Sequence, residues 1–599
     1  MVNNLYSSDY SHLPRIGSAG RTGLFSKISS VYKLSSDQEP DEDRFLPASI
    51  LKDEYQLKAH FPVVMIPGLT ASAIESWGTT GKSKPYYRKK IFGSIDMFRL
   101  LLSDRSTWIE LMKLDPITGQ DPPDIKLRAT TGLSASDYLF PGFWVWGKVI
   151  ENLSVIGYDT SNMHMAGYDW RLSLRALEER DQYFSQLKEL IERNKKHTGR
   201  KTILMSHSMG TSVVNYFLKW AEWSEGGQGG DQWTENHIES LLNINGGVLG
   251  VPKALTFMLT GENHDIVSLG KFANTLVDRL LCRGERIDMT RNWSGLAAVL
   301  PKGGDIIWGN DTSAPDDEMD DPSLQTFGNI ISFSSDKLTN KDANSSFVDD
   351  SHHPLLLNHT MDMAMNLLKN SSSQQFNDML QNNYSFGIST SKQQLQENDN
   401  IPRTWSNPLE SRLPKAPSMK IYCLYGVGIP TERTYFYSPT GTDSTTDEED
   451  NTSGVCRVRN AVMDNTGISR SVPLTIDVSI SDATHRIKGG IRKTDGDRTV
   501  PIISNGYMCA PSGGWTKHAD LYNPGLTQII AREYKNEEGM SRGDLRGGTK
   551  VARHVDILGN HDLLLDILQI VSNHGENVTR RIFSNIDQIA QRVQLDHLD

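Results

Sequence analysis

The chain is poor in cysteine, short of positive charge and without a long apolar run, and each shortage removes a class of protein. Four cysteines in 599 residues (Cys282, Cys423, Cys456 and Cys509) are too few for a disulfide scaffold and lack the close spacing of a zinc site. A net charge of −11 argues against nucleic acid as a partner, because backbone binding needs clustered Lys and Arg. No stretch approaches the roughly 18–20 uninterrupted apolar residues of a membrane span. The Ser-rich, polar start from Met1 to Lys33 has no hydrophobic signal core. What remains, 37% hydrophobic and 23% charged residues, is the composition of a globular protein, long enough for one large enzyme with insertions or for several domains. Nine Asn-x-Ser/Thr sequons, among them Asn152, Asn292, Asn358 and Asn577, permit glycosylation, but a chain rich in Asn and Ser makes several by chance.

Residues 1–55 lack periodicity and carry an acidic patch, Asp37 to Asp43, which predicts a tail. Order is expected from Phe61, where Val63-Val64-Met65-Ile66, closed by Pro67-Gly68, reads as a buried strand and turn. Thr202 to Met205 is a second such run, followed by Ser206-His207-Ser208-Met209-Gly210 and then by Val213, Val214, Phe217 and Leu218 at helical spacing. Further strands are expected at Leu241 to Ile244, Met419 to Leu424 and Thr499 to Ile503, and a helix at Asp181 to Asn194. This alternation predicts a mostly parallel sheet covered by helices on both faces. Two segments break the rhythm. From Trp77 to about Asp115, Lys and Arg mix with aromatics, and from Val251 to Ser411 a long stretch with a Ser/Asn/Gln-rich span, Ser371 to Asn400, reads as an inserted cap with a loose loop. Thr442 to Ser453 reads as a second, acidic loop.

A serine hydroxyl is a poor nucleophile until a base, itself oriented by a third group, accepts its proton. Ser208 sits between a β-branched run and an amphipathic helix, the setting of a nucleophile elbow, where the residues two before and two after must be small. Ser206 and Gly210 meet that demand, although Ser206 departs from the usual glycine. The bland alternative is a buried structural serine. In α/β-hydrolases the acid and the base follow in the order Ser, Asp, His. Asp497, in Asp495-Gly496-Asp497-Arg498-Thr499, is the candidate acid, with Asp495 as the residue that simply caps the turn. His554 is the candidate base on a loop entering a C-terminal helix; spacing alone leaves His561 and His574 as rivals. Backbone N–H groups of Met209 and Leu69 occupy the two places from which an oxyanion is held.

These residues, with Ile66 to Thr70, Ala166-Gly167-Tyr168-Asp169-Trp170-Arg171, Tyr422 to Gly428 and His554 to Gly559, resemble the lecithin:cholesterol acyltransferase family, and within it the phospholipid:diacylglycerol acyltransferases of fungi and plants. The resemblance runs from about Phe61 to near Val571. It implies an α/β-hydrolase fold with a mostly parallel central sheet, an inserted lid or membrane-binding segment and an inserted cap. The chain then divides into a tail (1–55), the start of the core (56–76), the lid or membrane-binding insertion (77–140), core with the serine turn (141–250), the cap (251–411), and core with acid and base (412–599). The resemblance also implies Ser208, Asp497 and His554 as the triad, and an acyl-serine formed from the sn-2 chain of a phospholipid and passed to diacylglycerol. It implies no cofactor, neither coenzyme A nor metal, and no particular protein partner. Membrane contact is expected in the lid through Trp77, Arg88 and Phe92, mixing aromatic anchoring with basic attraction; the alternative is a solvated basic loop. The Asp169-Trp170-Arg171 charges are expected to form a structural ion pair rather than to react. The family pattern pairs Cys423 with Cys509, which predicts an oxidising lumen, and by kinship the lumenal face of the endoplasmic reticulum. The lid cysteine pair of the secreted members is absent, and no apolar run long enough for the usual N-terminal anchor precedes Phe61. A phospholipase A or a phospholipid:sterol acyltransferase would use the same triad with another acceptor. A lipid carrier that merely kept the scaffold is the reading from another class, and an intact triad counts against it.

Overall fold

A computed structural model describes residues 45–140, 142–262, 281–318, 326–333, 358–439, 474–539 and 546–595. The centre is a six-stranded sheet, β1 (Val63–Ile66), β2 (Met163–Met165), β3 (Thr202–His207), β4 (Ile238–Ile244), β5 (Lys420–Val427) and β6 (Gln528–Lys535), ordered β6-β5-β4-β3-β1-β2. Every neighbouring pair is parallel. A parallel sheet needs both faces covered, and its strands therefore read as unbroken apolar runs. Successive residues divide between two cores: Val64, Ile66, Leu204 and Ile421 belong to one, Val63, Met65, Ile203 and Tyr422 to the other. The helix candidates sort accordingly. Once α1 (Pro47–Glu54), α2 (Gly147–Val155), α3 (Tyr183–Thr198), α4 (Gly210–Glu222) and α5 (His561–Val571) are distinguished, α3 and α4 pack into the first core, while α1, α2 and α5 pack into the second. This is the α/β-hydrolase arrangement.

Several expectations are corrected. Helix α1 lies inside the segment expected to be a tail: Ala48 is buried and its N–H donates to Asn152 Oδ1 at 3.0 Å. Asp181 to Asn194 is not one helix, because Leu174–Asp181 ends at Gln182, whose φ of 52° turns the chain before α3 begins. Thr499 to Ile503 is not a strand but a tight turn leading into the short helix Ile502–Gly506, with the Thr499 and Val500 amides turned toward Asp497. The Ser371 to Asn400 span, expected as a loose loop, is largely helical, with Gln374–Asn383 and Lys392–Asn398 following Met361–Asn370. Ser373 and Ser391 each cap one of those helices, which is why a polar composition still gives regular structure. The 411/412 boundary also does not divide the packing: Thr431–Pro439 pairs in parallel with Ile331–Phe333 from the cap and antiparallel with Ile491–Thr494, forming a second sheet. The acidic loop Thr442 to Ser453 and the patch Asp37 to Asp43 lie outside the described residues.

After β1 the chain forms a small antiparallel sheet (Lys90–Phe92, Ile74–Ser76, Leu127–Ala129) and the helices Ile95–Ser103 and Arg105–Met112. Phe92, expected at the membrane surface, turns inward and meets the Trp170 ring edge-on at 4.9 Å. Trp77 and Arg88 do lie at the surface, the guanidinium 4.2 Å from the indole and 2.9 Å from Glu75. Asp169 and Arg171 form a fully buried ion pair at 2.6 Å, extended by Arg180 and Asp121. Burial would raise the Asp169 carboxyl, but the Arg171 and Arg180 guanidiniums outweigh it and hold it down at about 2. The same segment braces the loop after β1, since Tyr168 N–H donates to Ser72 Oγ at 3.3 Å and Trp170 Nε1 to the Ser72 carbonyl at 3.1 Å. Among the described residues no helix is long and apolar enough to cross a membrane.

Candidate active site

Ser208 follows the fully buried strand β3 and is separated from α4 by Met209 alone, so the chain reverses there within two residues. Its φ of 55° is left-handed, a strained conformation for a residue with a side chain, and it holds the hydroxyl at the carboxyl end of the sheet. Close packing enforces the turn. A methyl on Gly210 would fall 2.5 Å from the Ile66 carbonyl oxygen, so that position admits only glycine. Ser206 replaces glycine without strain because its hydroxyl is bonded inside the fold, to Thr211 Oγ1 at 2.9 Å and to the Leu242 carbonyl at 3.3 Å.

Loops from three parts of the chain meet at this hydroxyl. His554 Nε2 lies 2.8 Å from Ser208 Oγ, and His554 Nδ1 lies 2.8 Å from Asp497 Oδ2. Asp497 is fully buried, yet its carboxylate is well supplied with donors: Thr499 N–H at 2.9 Å and Val500 N–H at 2.7 Å on Oδ1, and Asn505 Nδ2 at 3.1 Å on Oδ2. Asp495 has the capping role instead, accepting from Gly428 N–H and Gly496 N–H, both at 2.7 Å. His561 begins helix α5, and His574 stands near Glu576 at 3.9 Å; neither joins the group. The backbone N–H groups of Leu69 and Met209 flank the serine, and among the described residues neither has a hydrogen-bond acceptor. Met209 is buried at the start of α4, where the helix dipole adds to the attraction for an oxyanion. This arrangement can move a proton from Ser208 to His554, stabilise the resulting imidazolium, and hold negative charge on an attacked carbonyl.

Sequence reasoning missed three groups that complete the site: Asn505 on the acid, and His207 and Asn245 on the main chain of His554, with Nε2 and Nδ2 at 2.7 and 3.0 Å from its carbonyl oxygen. His207 ends β3 and Asn245 directly follows β4, and the carboxyl ends of parallel strands are where sites form; that placement was the available signal. Cys423 on β5 and Cys509 are joined by a disulfide. Among the described residues no group of His, Cys, Asp or Glu is arranged to hold a metal ion.

Residues 86–561 match the family described as lecithin:cholesterol acyltransferase. The phospholipid:diacylglycerol acyltransferase of Schizosaccharomyces pombe is 40% identical over 90% of this chain and 77% of its own length. That of Saccharomyces cerevisiae is 37% identical over 94% of this chain and 79% of its own. Phospholipid:diacylglycerol acyltransferase 1 of Arabidopsis thaliana is 32% identical over 92% and 86%. On the match of 86–561 and on these relatives, the chain belongs to the lecithin:cholesterol acyltransferase family.

Proposed function

We propose that this protein is a phospholipid:diacylglycerol acyltransferase that makes triacylglycerol through an acyl-serine. Ser208 Oγ attacks the sn-2 ester carbonyl of a phospholipid as its proton passes to His554 Nε2, and the Leu69 and Met209 N–H groups take the oxyanion. Collapse returns the proton from His554 to the departing glycerol oxygen, releasing lysophospholipid and leaving the acyl chain on Ser208. The diacylglycerol hydroxyl then gives its proton to His554 and attacks the acyl carbonyl; collapse breaks the bond to Ser208 Oγ, His554 returns that proton to the departing Oγ, and triacylglycerol leaves with the serine restored. The donor ester is the acyl source, so the cycle needs no coenzyme A. The observation that carries the reading is the Ser208–His554–Asp497 relay, with both links at 2.8 Å, in a chain whose relatives bear this name.

Transfer rather than hydrolysis requires a greasy acceptor to enter while water is kept out. The reading therefore includes a membrane surface, met by the segment after β1. On the helix Ile95–Ser103 the side chains of Ile95, Phe98 and Leu102 share one outward face and are 41%, 41% and 44% exposed. An apolar stripe of this kind, in the same chain segment as the exposed Trp77 and Arg88, suits an interface. The reading further includes the lumenal face of the endoplasmic reticulum, which the Cys423–Cys509 disulfide supports.

The test is to incubate purified protein with phosphatidylcholine labelled in its sn-2 chain plus diacylglycerol, and separately plus a sterol. Labelled triacylglycerol, absent with Ser208→Ala, is the expected result. Free fatty acid alone, or steryl ester in place of triacylglycerol, overturns the assignment of acceptor. Undiminished transfer by Ser208→Ala overturns the mechanism.

A further inference from the structure

We infer that His207 and Asn245 are positioning residues for the base, acting on the main chain of His554 rather than on its ring. The inference rests on the triad reading above and concerns how that triad is held. The carbonyl oxygen of His554 receives two side-chain contacts, from His207 Nε2 at 2.7 Å and from Asn245 Nδ2 at 3.0 Å. The N–H of the same residue donates to the main-chain carbonyl of Asp497 at 2.9 Å. The peptide groups on both sides of His554 are therefore fixed, one to the acid and one to the neighbour of the nucleophile. His554 belongs to no helix or strand, so no ladder of secondary structure fixes it. A loop residue that must keep two hydrogen bonds of 2.8 Å needs such external anchors.

Asn245 is itself held rigidly. It is fully buried with φ of 46°, its Oδ1 accepts from Gly426 N–H at 2.9 Å, and its own N–H donates to the Leu424 carbonyl at 3.0 Å. It thus ties the end of β4 to β5 and spends its remaining donor on His554. The carbonyl acceptor requires His207 to carry its proton on Nε2, which leaves Nδ1 without a partner among the described residues. Burial first, and the nearby His554 second, push the His207 imidazole down to about 3, so that it is neutral while it donates. Neutrality matters, because the two rings lie 5.0 Å apart and a charged His207 would oppose the imidazolium that His554 must become. A residue that donates a hydrogen bond without carrying charge is what this place demands. The carboxamide of Asn245 satisfies the same condition.

The experiment compares His207→Phe, His207→Gln and Asn245→Ser with the unaltered chain, reading kcat and KM for acyl transfer and the rate at which a fluorophosphonate labels Ser208. Loss of the donor should lower kcat and the labelling rate together, on the order of 100-fold for a displacement near 1 Å, with KM unchanged. His207→Gln, which keeps an N–H to offer, should recover most of that loss. A folded His207→Phe that labels at the normal rate overturns the inference, as does a Gln variant no better than Phe, since packing and not donation would then be at work. Should His207→Phe fail to fold, judged by its thermal unfolding, Asn245→Ser decides by the same paired readout. These results are separable from failure of the triad itself, which would show as activity retained by Ser208→Ala.

Discussion

A methyl group placed on Gly68 would lie 2.8 Å from the Cβ of Ser208 and 3.1 Å from the His207 carbonyl oxygen. Ser208 cannot retreat, because α4 behind it already rests on the Ile66 and Pro67 carbonyls through Gly210. Gly68→Ala must therefore displace the loop that carries the Leu69 N–H. Losing one oxyanion donor costs roughly 10²–10³ in kcat, and that is the expected effect on acyl transfer. Leu69→Ala keeps the N–H and should be mild. Equal losses from the two substitutions would mean that the side chain of Leu69, not its backbone, does the work.

Asp497→Asn should be far more severe than Asp495→Asn. The asparagine amide would face two donors, Asn505 Nδ2 and His554 Nδ1, where the carboxylate Oδ2 accepted from both. His554 would then turn or adopt the wrong tautomer, a change that lowers kcat by about 10⁴ in serine triads. Asp495 accepts from backbone N–H groups, among them those of Gly428 and Gly496, so its amide should leave kcat nearly normal. Steady-state transfer rates of the two variants check the contrast, and a larger loss at Asp495 would reverse the assignment of acid and cap.

The elbow was legible in sequence because its requirements are local: a buried strand, a small residue on each side, a helix. So was the candidate acid, whose turn is local too, while the base needed the family pattern to separate His554 from His561 and His574. The helices of the Ser371 to Asn400 span were not legible, since their stability comes from serine caps and from packing of Phe376, Leu380 and Leu395 against distant parts of the chain. Nor was α1, whose burial depends on Asn152, 104 residues away. Thr499 to Ile503 misled because an apolar β-branched run served a turn that feeds two amides to Asp497. Phe92 misled because charge and aromatics in one segment do not say which ring turns inward.

Phe98→Asp combined with Leu102→Asp should weaken attachment to phospholipid vesicles while leaving cleavage of a water-soluble short-chain ester intact. Both side chains are over 40% exposed on the outward face of Ile95–Ser103. Transfer of that surface into lipid is worth on the order of 1 kcal/mol for each, so the pair should lower vesicle binding at least tenfold. Vesicle flotation measures it. Unchanged flotation would remove this helix from the membrane contact.

Replacing both Cys423 and Cys509 by Ser should lower thermal stability with the catalytic geometry preserved. Their bond closes a loop with a sequence separation of 86. A loop of that size restrains the unfolded chain by about 4–5 kcal/mol in the entropy model, an upper value where the unfolded state keeps structure. Cys423 and Cys509 are both buried in the core on one face of the sheet, and neither contributes a hydrogen bond to Ser208, His554 or Asp497. The expected outcome is a lower Tm by calorimetry and near-normal fluorophosphonate labelling of Ser208 at low temperature. Loss of labelling in a variant that remains folded would give the disulfide a part in shaping the site.

Lys302→Met should stabilise the protein near neutral pH and have little effect in strong alkali. Lys302 is fully buried, its ammonium donates to the Ala298 carbonyl at 2.7 Å, and among the described residues no carboxylate pairs with it. Burial pushes its amine down to about 7, against an ordinary lysine value of about 10.4 in the unfolded chain. Between those two values the unfolded chain holds a proton that the folded chain has released, so stability rises with pH across that window. Below it both forms are protonated, and the full cost of a buried ammonium falls on the folded state. Methionine removes that cost but leaves the Ala298 carbonyl without its donor, which returns about 1 kcal/mol. The net gain at pH 7 should be on the order of 1–3 kcal/mol and should shrink toward zero as pH approaches about 10. Denaturant unfolding of both proteins at several pH values measures the difference, and a gap that stays constant with pH would show that Lys302 does not titrate in this window.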